Sequence, residues 1–403
     1  MITPTPAQVA WQDLEMGMFV HFGVTTFTDQ EWGDGRHGPE WFAPTALDPA
    51  QWVRVARRGG LRYLVLTAKH HDGFCLWPTK TTDYSVASAP VKTDVVGAFV
   101  EACRRADMPC GLYLSPWDRH EPCYADKAAY DDFYCRQLTE LMTGYGPLVE
   151  VWFDGAGSDG RAYDWARIMN IVHTHQPGAM VFNMGEPTIR WVGNEDGLAP
   201  YPCPNVVADL SEVARTGNLT ARHDLWVPAE CDVPIRPGRW FWHPGEDHLV
   251  RTPDNLMHLY ERSVGRGAGL LLNLAPDDRG LIPQADADAL AAFADNLRAR
   301  LAHPLGETRG EGARFEINFP GERTVTDAVL MEDIAQGERV QAFHLEARRA
   351  GAWRTVYTGS LIGHKHLCRL DLPADALALV IDRAEDTPRL RRVVAYTGEG
   401  VDA

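Results

Sequence analysis

No CxxC pair occurs in the 403 residues, and the eight cysteines (75, 103, 110, 123, 135, 203, 231 and 368) follow no regular spacing. A zinc ribbon or a disulfide scaffold is therefore not expected. No HExxH marks a metalloenzyme helix, and no GxGxxG follows the first apolar run, which sets aside a dinucleotide-binding fold. Every apolar run is too short to span a membrane, and the opening "MITPTPAQVAWQDLEMG" has no basic region leading into an apolar stretch. As written, this implies a cytoplasmic chain without export signal, or a periplasmic or secreted one whose signal has been removed. Positive charge is scarce. With 39 Lys and Arg against 55 Asp and Glu, the formal net charge is -16, which disfavours a nucleic-acid backbone or an anionic membrane as partner and favours a neutral or cationic ligand.

What is present is a globular composition, 45% hydrophobic and 23% charged, in a chain long enough for one large domain and one small one. Short apolar runs recur at 16–23, 63–71, 109–116, 149–155, 179–186, 190–197, 225–233 and 269–276. Such runs suit strands buried on both faces. Between several of them lie segments with helical spacing of apolar residues, among them "ALDPAQWVRVARRGG", "TDVVGAFVEACRRA" and "RAYDWARIMNIVHTHQ". Eight strands alternating with helices over about 300 residues predict an α/β fold, a (β/α)8 TIM-like barrel over 1–305. From 306 to 403 the runs alternate apolar with polar residues between Gly, Pro and Asp, which predicts a small all-β sandwich. Its single tryptophan, Trp353, favours a covering role over sugar binding.

Barrel chemistry collects at the carboxyl ends of the strands. Those ends carry His21, the Lys69-His70-His71-Asp72 cluster, Tyr113, Trp117, Asp118, Trp152, Asp154, Asn183, Glu186, Glu195, Glu230 and Asp232. Plain structural roles exist for each: a core histidine bonded to backbone, an indole that only packs, a metal pair at His70 and His71. Asp154 stands out, because "VEVWFDGAG" is an apolar strand that terminates in a carboxylate before a glycine-rich loop. Such a group either bonds loop amides or waits for a substrate. Two carboxyls flanking one bond are the minimum for cleaving a glycoside. Asp154 suits the ionised partner, and the Trp-containing "RWVGNEDG" suits Glu195 as the proton donor, with Glu186, Glu230 and Asp196 as competitors.

The motifs "GMFVHFG", "EWGDG", "LTAKHHDGFCLWPTKTTDYSV", "GLYLSPWDRHEPCY", "EVWFDGA", "RWVGNEDG", "AECDVPIRPGRWFWH" and "LLLNLAPDDRGLI" together resemble the α-L-fucosidases of glycoside hydrolase family 29, over nearly the whole barrel. The resemblance implies a retaining double displacement with Asp154 as nucleophile and Glu195, 41 positions on (195 − 154), as acid/base. It further implies a fucose-binding set of His21, Glu31, Trp32, His70, His71, Tyr113 and Trp152, and no metal or other cofactor. The forms of three motifs look most like the branch that cleaves α1,3 and α1,4 linkages of Lewis-type glycans. In that branch Glu230, Asp232, Arg236 and Trp240 would contact the neighbouring sugar, and Arg190 or Arg236 would stand for an arginine found beside the site in some relatives. The implied partner is a fucosylated oligosaccharide, with no nucleic acid and no membrane. Rival readings are an inactive fucose-binding lectin, a fucosidase that also accepts α1,2 and α1,6 linkages, and a metal-dependent hydrolase built on His21, His70 and His71.

Overall fold

The structure, a computed structural model, describes residues 2–212, 218–221 and 223–398. Eight parallel strands form its first part: β1 (Met16–Val20), β2 (Tyr63–Lys69), β3 (Cys110–Leu114), β4 (Glu150–Trp152), β5 (Met180–Phe182), β6 (Arg190–Trp191), β7 (Ala229–Pro234) and β8 (Gly269–Asn273). They pair in the order β5-β4-β3-β2-β1-β8-β7-β6. A single parallel bridge from Phe182 to Ile189 joins the two ends, so the barrel is nearly closed. Each strand coincides with one of the runs expected from sequence, β7 extending one residue past its run to Pro234. The run at 225–233 is split, its first residues ending a two-stranded antiparallel ribbon (Val206–Asp209 with His223–Trp226) before β7 begins.

Helices follow six of the strands: Pro49–Arg58, Val95–Arg105, Lys127–Gly144, Trp165–His175, Pro253–Arg262 and Gln284–Arg300. Aspartates 94, 126 and 164 and Thr252 start four of them by accepting an amide N–H from the first turn. After β5 and β6 no α-helix intervenes among the described residues, and loops and the ribbon fill that side. The period of two in a strand then sorts the layers. Val151 and Phe153 pack outward against the helices, whereas Glu150 and Trp152 point into the barrel and Asp154 continues their line to its mouth. Trp11, on an amino-terminal helix (Pro6–Gln12), closes the bottom and donates its indole N–H to Glu150 Oε2 at 3.1 Å.

The second part is an antiparallel sheet of six strands, β9 (His303–Glu311), β10 (Arg314–Glu332), β11 (Val340–Arg349), β12 (Ala352–Gly359), β13 (His366–Ala384) and β14 (Arg389–Thr397). β10 and β13 run its full length, with register shifts between Asn318 and Arg323 and between Val325 and Asp327. One half pairs with β11 and the other with β14, yet Phe315, Leu345 and Leu379 share one apolar core with Leu330, Val393 and Ala395. The sheet therefore folds over a common interior, as a sandwich does. It docks on the amino-terminal ends of the barrel strands, where Asp13 meets His364 and Arg391 and where Arg300 meets Asp327. The mouth of the barrel lies at the opposite end. The Trp353 ring is engaged by the guanidinium groups of Arg314 and Arg348, 4.7 and 5.3 Å from its centre. All eight cysteines are free and all but Cys123 are buried. No described helix is long and apolar enough to cross a membrane.

Candidate active site

A cavity of about 350 Å³ opens at the carboxyl ends of the strands. Asp154 reaches it from the end of β4 with both oxygens held. Tyr113, buried on β3, donates its hydroxyl to Oδ2 at 3.0 Å, and the Ala156 amide donates to Oδ1 at 2.8 Å. His71 Nε2 lies 3.5 Å from Oδ2. The glycine-rich loop after Asp154 has a steric cause: Gly157 sits at φ +66°, and a Cβ there would come within 2.1 Å of the Trp117 ring. Backbone thus passes where no larger residue could. Tyr113 gives a direct test of the clamp on Asp154. Tyr113→Phe removes a hydrogen bond to a charged acceptor that burial keeps water from replacing, and kcat is expected to fall about tenfold or more with KM little changed; steady-state kinetics on one substrate would settle it.

Three imidazoles face the cavity, and burial holds all of them neutral. His21 is pushed down to about 3, first by desolvation. His70 and His71 are lowered for the same leading reason, and His70 also by the other two rings. Their tautomers follow from the partners. Asn273 gives its Nδ2–H to the Trp240 carbonyl at 2.8 Å, so its Oδ1 accepts from His21 Nδ1–H at 2.8 Å. Ser115 gives its hydroxyl hydrogen to the Trp117 carbonyl, so its oxygen accepts from His71 Nδ1–H at 2.7 Å. Both rings therefore keep a lone pair on Nε2, suited to accepting from a sugar hydroxyl. His70 Nδ1 and Asn183 Oδ1 are buried without a hydrogen-bond partner.

Indoles form the apolar walls. Trp152 is stacked on Phe182 with ring centres 3.8 Å apart, and Trp32, half exposed, stands edge-on to Trp117 and His71. On the opposite side are Trp191, Trp240, Asp232 and Glu195. Trp240 Nε1–H donates to Glu195 Oε2 at 3.3 Å, and Trp191 Nε1–H to Asp232 Oδ1 at 2.6 Å. Asp232 is raised well above the usual carboxyl range, first by burial and then by the charges of Glu230 and Glu195. Glu31 stands behind this wall, accepting the Trp240 amide on one oxygen and facing His243 with the other.

Several expected contacts fall elsewhere. Glu230 shares the inward face of β7 with Asp232 but lies one layer deeper, fully buried, where it accepts from Tyr63 Oη–H at 2.8 Å and Trp152 Nε1–H at 3.0 Å. It supports the pocket floor and does not line the cavity. Arg236 is turned away and bound by Asp286 and Asp247, while Arg190 is buried against Cys203 and Pro204. Neither guanidinium reaches the cavity. Glu186 is exposed beside His173, and Asp196 lies outside the cavity, so of the competitors for proton donor only Glu195 lines it. Ser115, Asn273 and His243 went unmarked in the sequence reading. Asn273 had the same signal as Asp154, a polar residue closing an apolar strand.

The buried acids carry a consequence for stability. Glu332 is pushed up to about 7 by burial, and Glu150 and Asp232 well above their ordinary values by the same cause. A folded carboxyl that holds its proton more tightly than the unfolded chain contributes stability below its unfolded value, about 4, and loses it as pH rises through the folded value. The lowered histidines act in the opposite sense, but only below about 6.5. Between pH 6.5 and 8 the raised acids, Glu230 and Glu338 among them, outnumber the lowered thiol of Cys110, so the thermal midpoint is expected to fall; a midpoint rising over that interval would contradict these protonation states.

Neutral imidazoles, indoles and the carboxyls of Asp154, Asp232 and Glu195 line one cavity at the mouth of a barrel, and these are the chemical groups with which glycoside hydrolases cleave a glycosidic bond. The model of the α-L-fucosidase family matches residues 37–300. Alpha-L-fucosidase 1 of Arabidopsis thaliana is 37% identical over 451 aligned residues, covering 99% of this chain and 87% of the plant protein. A Ruminococcus gnavus GH29 fucosidase solved in complex with fucose superposes with a TM-score of 0.87 at 28% identity, covering 98% and 95% of the two chains. The structure of SpGH29 gives 0.90 at 31% identity, covering 98% of each. The chain belongs to the α-L-fucosidase family, glycoside hydrolase family 29.

Proposed function

We propose that the protein is a retaining exo-α-L-fucosidase that removes terminal α1,3- and α1,4-linked fucose from Lewis-type glycans. The observation that carries the mechanism is the clamped carboxylate of Asp154 facing the neutral imidazoles. Fucose enters with its hydroxyls on His21, His70 and His71 and its apolar face against indole. Asp154 attacks the anomeric carbon as Glu195 protonates the departing oxygen. Glu195 then takes a proton from the water that releases fucose from Asp154, so the sugar leaves with its original configuration. The neighbouring sugar lies toward Trp191, Asp232 and Trp240. The linkage preference is supported by the forms of the "EWGDG", "SPWDRHEP" and "WVGNEDG" segments, and the ligand by the fucose complex of the Ruminococcus relative.

Released fucose from a panel of α1,2, α1,3, α1,4 and α1,6 fucosides, with the first-formed anomer read by NMR, tests both parts. The α1,3 and α1,4 members are expected to dominate and α-fucose to appear first; a dominant α1,2 or α1,6 substrate, or β-fucose first, would overturn them. One observation favours a second reading: ligand atoms of His70, His71 and Asp154 lie within 4.8 Å of one another, close enough to hold a metal ion. The same lone pairs serve sugar hydroxyls. Dialysis against a strong chelator is expected to leave kcat unchanged, and loss restored by an added divalent ion would favour the metal.

A further inference from the structure

We propose that His243 is a positioning residue for Glu195, acting through Glu31 and Trp240 without touching the sugar. This rests on the acid/base role given to Glu195 above. His243 lies in the loop after β7, with its side chain almost fully buried between two carboxylates. Its Nδ1 is 2.6 Å from Asp29 Oδ1 and its Nε2 is 2.6 Å from Glu31 Oε1. Asp29 holds its place at φ +52°, a left-handed backbone conformation that few residues other than glycine adopt. The other oxygen of Glu31 accepts the Trp240 N–H at 2.8 Å, and the indole N–H of the same Trp240 reaches Glu195. A continuous chain of polar contacts thus runs from Asp29 through His243, Glu31 and Trp240 to Glu195, and it clasps the loop after β1 to the loop after β7.

Without the imidazole, Glu31 Oε1 loses its partner. Arg239, which pairs with Glu246 at 2.6 Å, is a cation whose charge already feels Glu31 and Asp29 and could draw the freed carboxylate away. The Trp240 amide would then lose its acceptor, and the indole that bonds Glu195 would lose its anchor on that side. Asn273 still holds the Trp240 carbonyl, so the fucose side of the wall, where His21 lies 5.1 Å from the indole, is retained. The damage should therefore concentrate on proton delivery and spare fucose binding.

The test compares a Lewis-type trisaccharide, whose departing oxygen needs a proton, with α-L-fucosyl fluoride, whose leaving group needs little help. His243→Ala is expected to lower kcat/KM about tenfold on the trisaccharide and about twofold or less on the fluoride, with His243→Gln recovering part of the loss. Asp29→Asn, which keeps an acceptor for Nδ1, should show the same asymmetry more weakly and serves as readout should His243→Ala fold poorly. Equal losses on both substrates, or none on either, would overturn the relay. Glu195→Ala run alongside separates the two ideas: if it lacks the asymmetry, the acid/base assignment fails; if it has it and the His243 and Asp29 variants do not, only the relay fails.

Discussion

Asp154→Ala is expected to abolish turnover, by about five orders of magnitude in kcat, on every α-L-fucoside and with every leaving group. The uniformity matters as much as the size. A nucleophile is needed whether the bond to be broken is strong or weak, so removing it cannot be hidden by an activated substrate. The truncated side chain leaves a space beside the anomeric carbon, lined by the Tyr113 hydroxyl, the Ala156 amide and His71. Azide should enter it and attack from the face the carboxylate used, restoring part of the rate with an activated substrate and giving β-fucosyl azide, the inverted product. Initial rates on fucosyl fluoride and a trisaccharide, with the azide adduct identified by NMR, check both expectations. Retention of more than about one per cent of turnover would place the nucleophile elsewhere. Because the Asp154 side chain is 24% exposed, the variant should fold, and a near-normal thermal midpoint would confirm that the loss is chemical.

The position of Asp154 was legible because its strand is so apolar that a terminal carboxylate had nothing local to explain it. The barrel was legible for the same reason: strands buried on both faces write themselves as unbroken apolar runs, and all eight runs contain a strand. Depth was not. Glu230 and Asp232 are two apart on one face of β7, and periodicity assigns them to the same side without saying that one lies a layer beneath the pocket floor and the other at its wall. Partners distant in sequence were equally hidden. Arg236 looked available beside the site, yet Asp286 lies 50 positions further along the chain and captures it from the last barrel helix. His243 gave no signal, since nothing in its loop sequence says that Asp29 and Glu31, more than two hundred positions earlier, fold against it. The missing helices after β5 and β6 also escaped notice, because a segment that forms ribbon and loop has no period to read.

Glu195→Ala should separate substrates by their leaving groups, losing about two to four orders of magnitude on natural linkages and far less on fucosyl fluoride. Glu195 lines the cavity, with its Oε2 on the Trp240 indole N–H at 3.3 Å. An alkoxide leaving group is too basic to depart unprotonated, whereas fluoride departs readily, so the penalty tracks the basicity of what leaves. Here azide would attack after the fucosyl group has transferred to Asp154, and two displacements give α-fucosyl azide, the opposite anomer from that of Asp154→Ala. The pair of products is the strongest available statement about which carboxyl does which step. If Glu195→Ala damaged both substrates equally and gave no azide adduct, the proton donor would have to be sought in Asp232. That carboxyl also lines the cavity, retains its proton through burial, and sits with one oxygen on the Trp191 indole N–H.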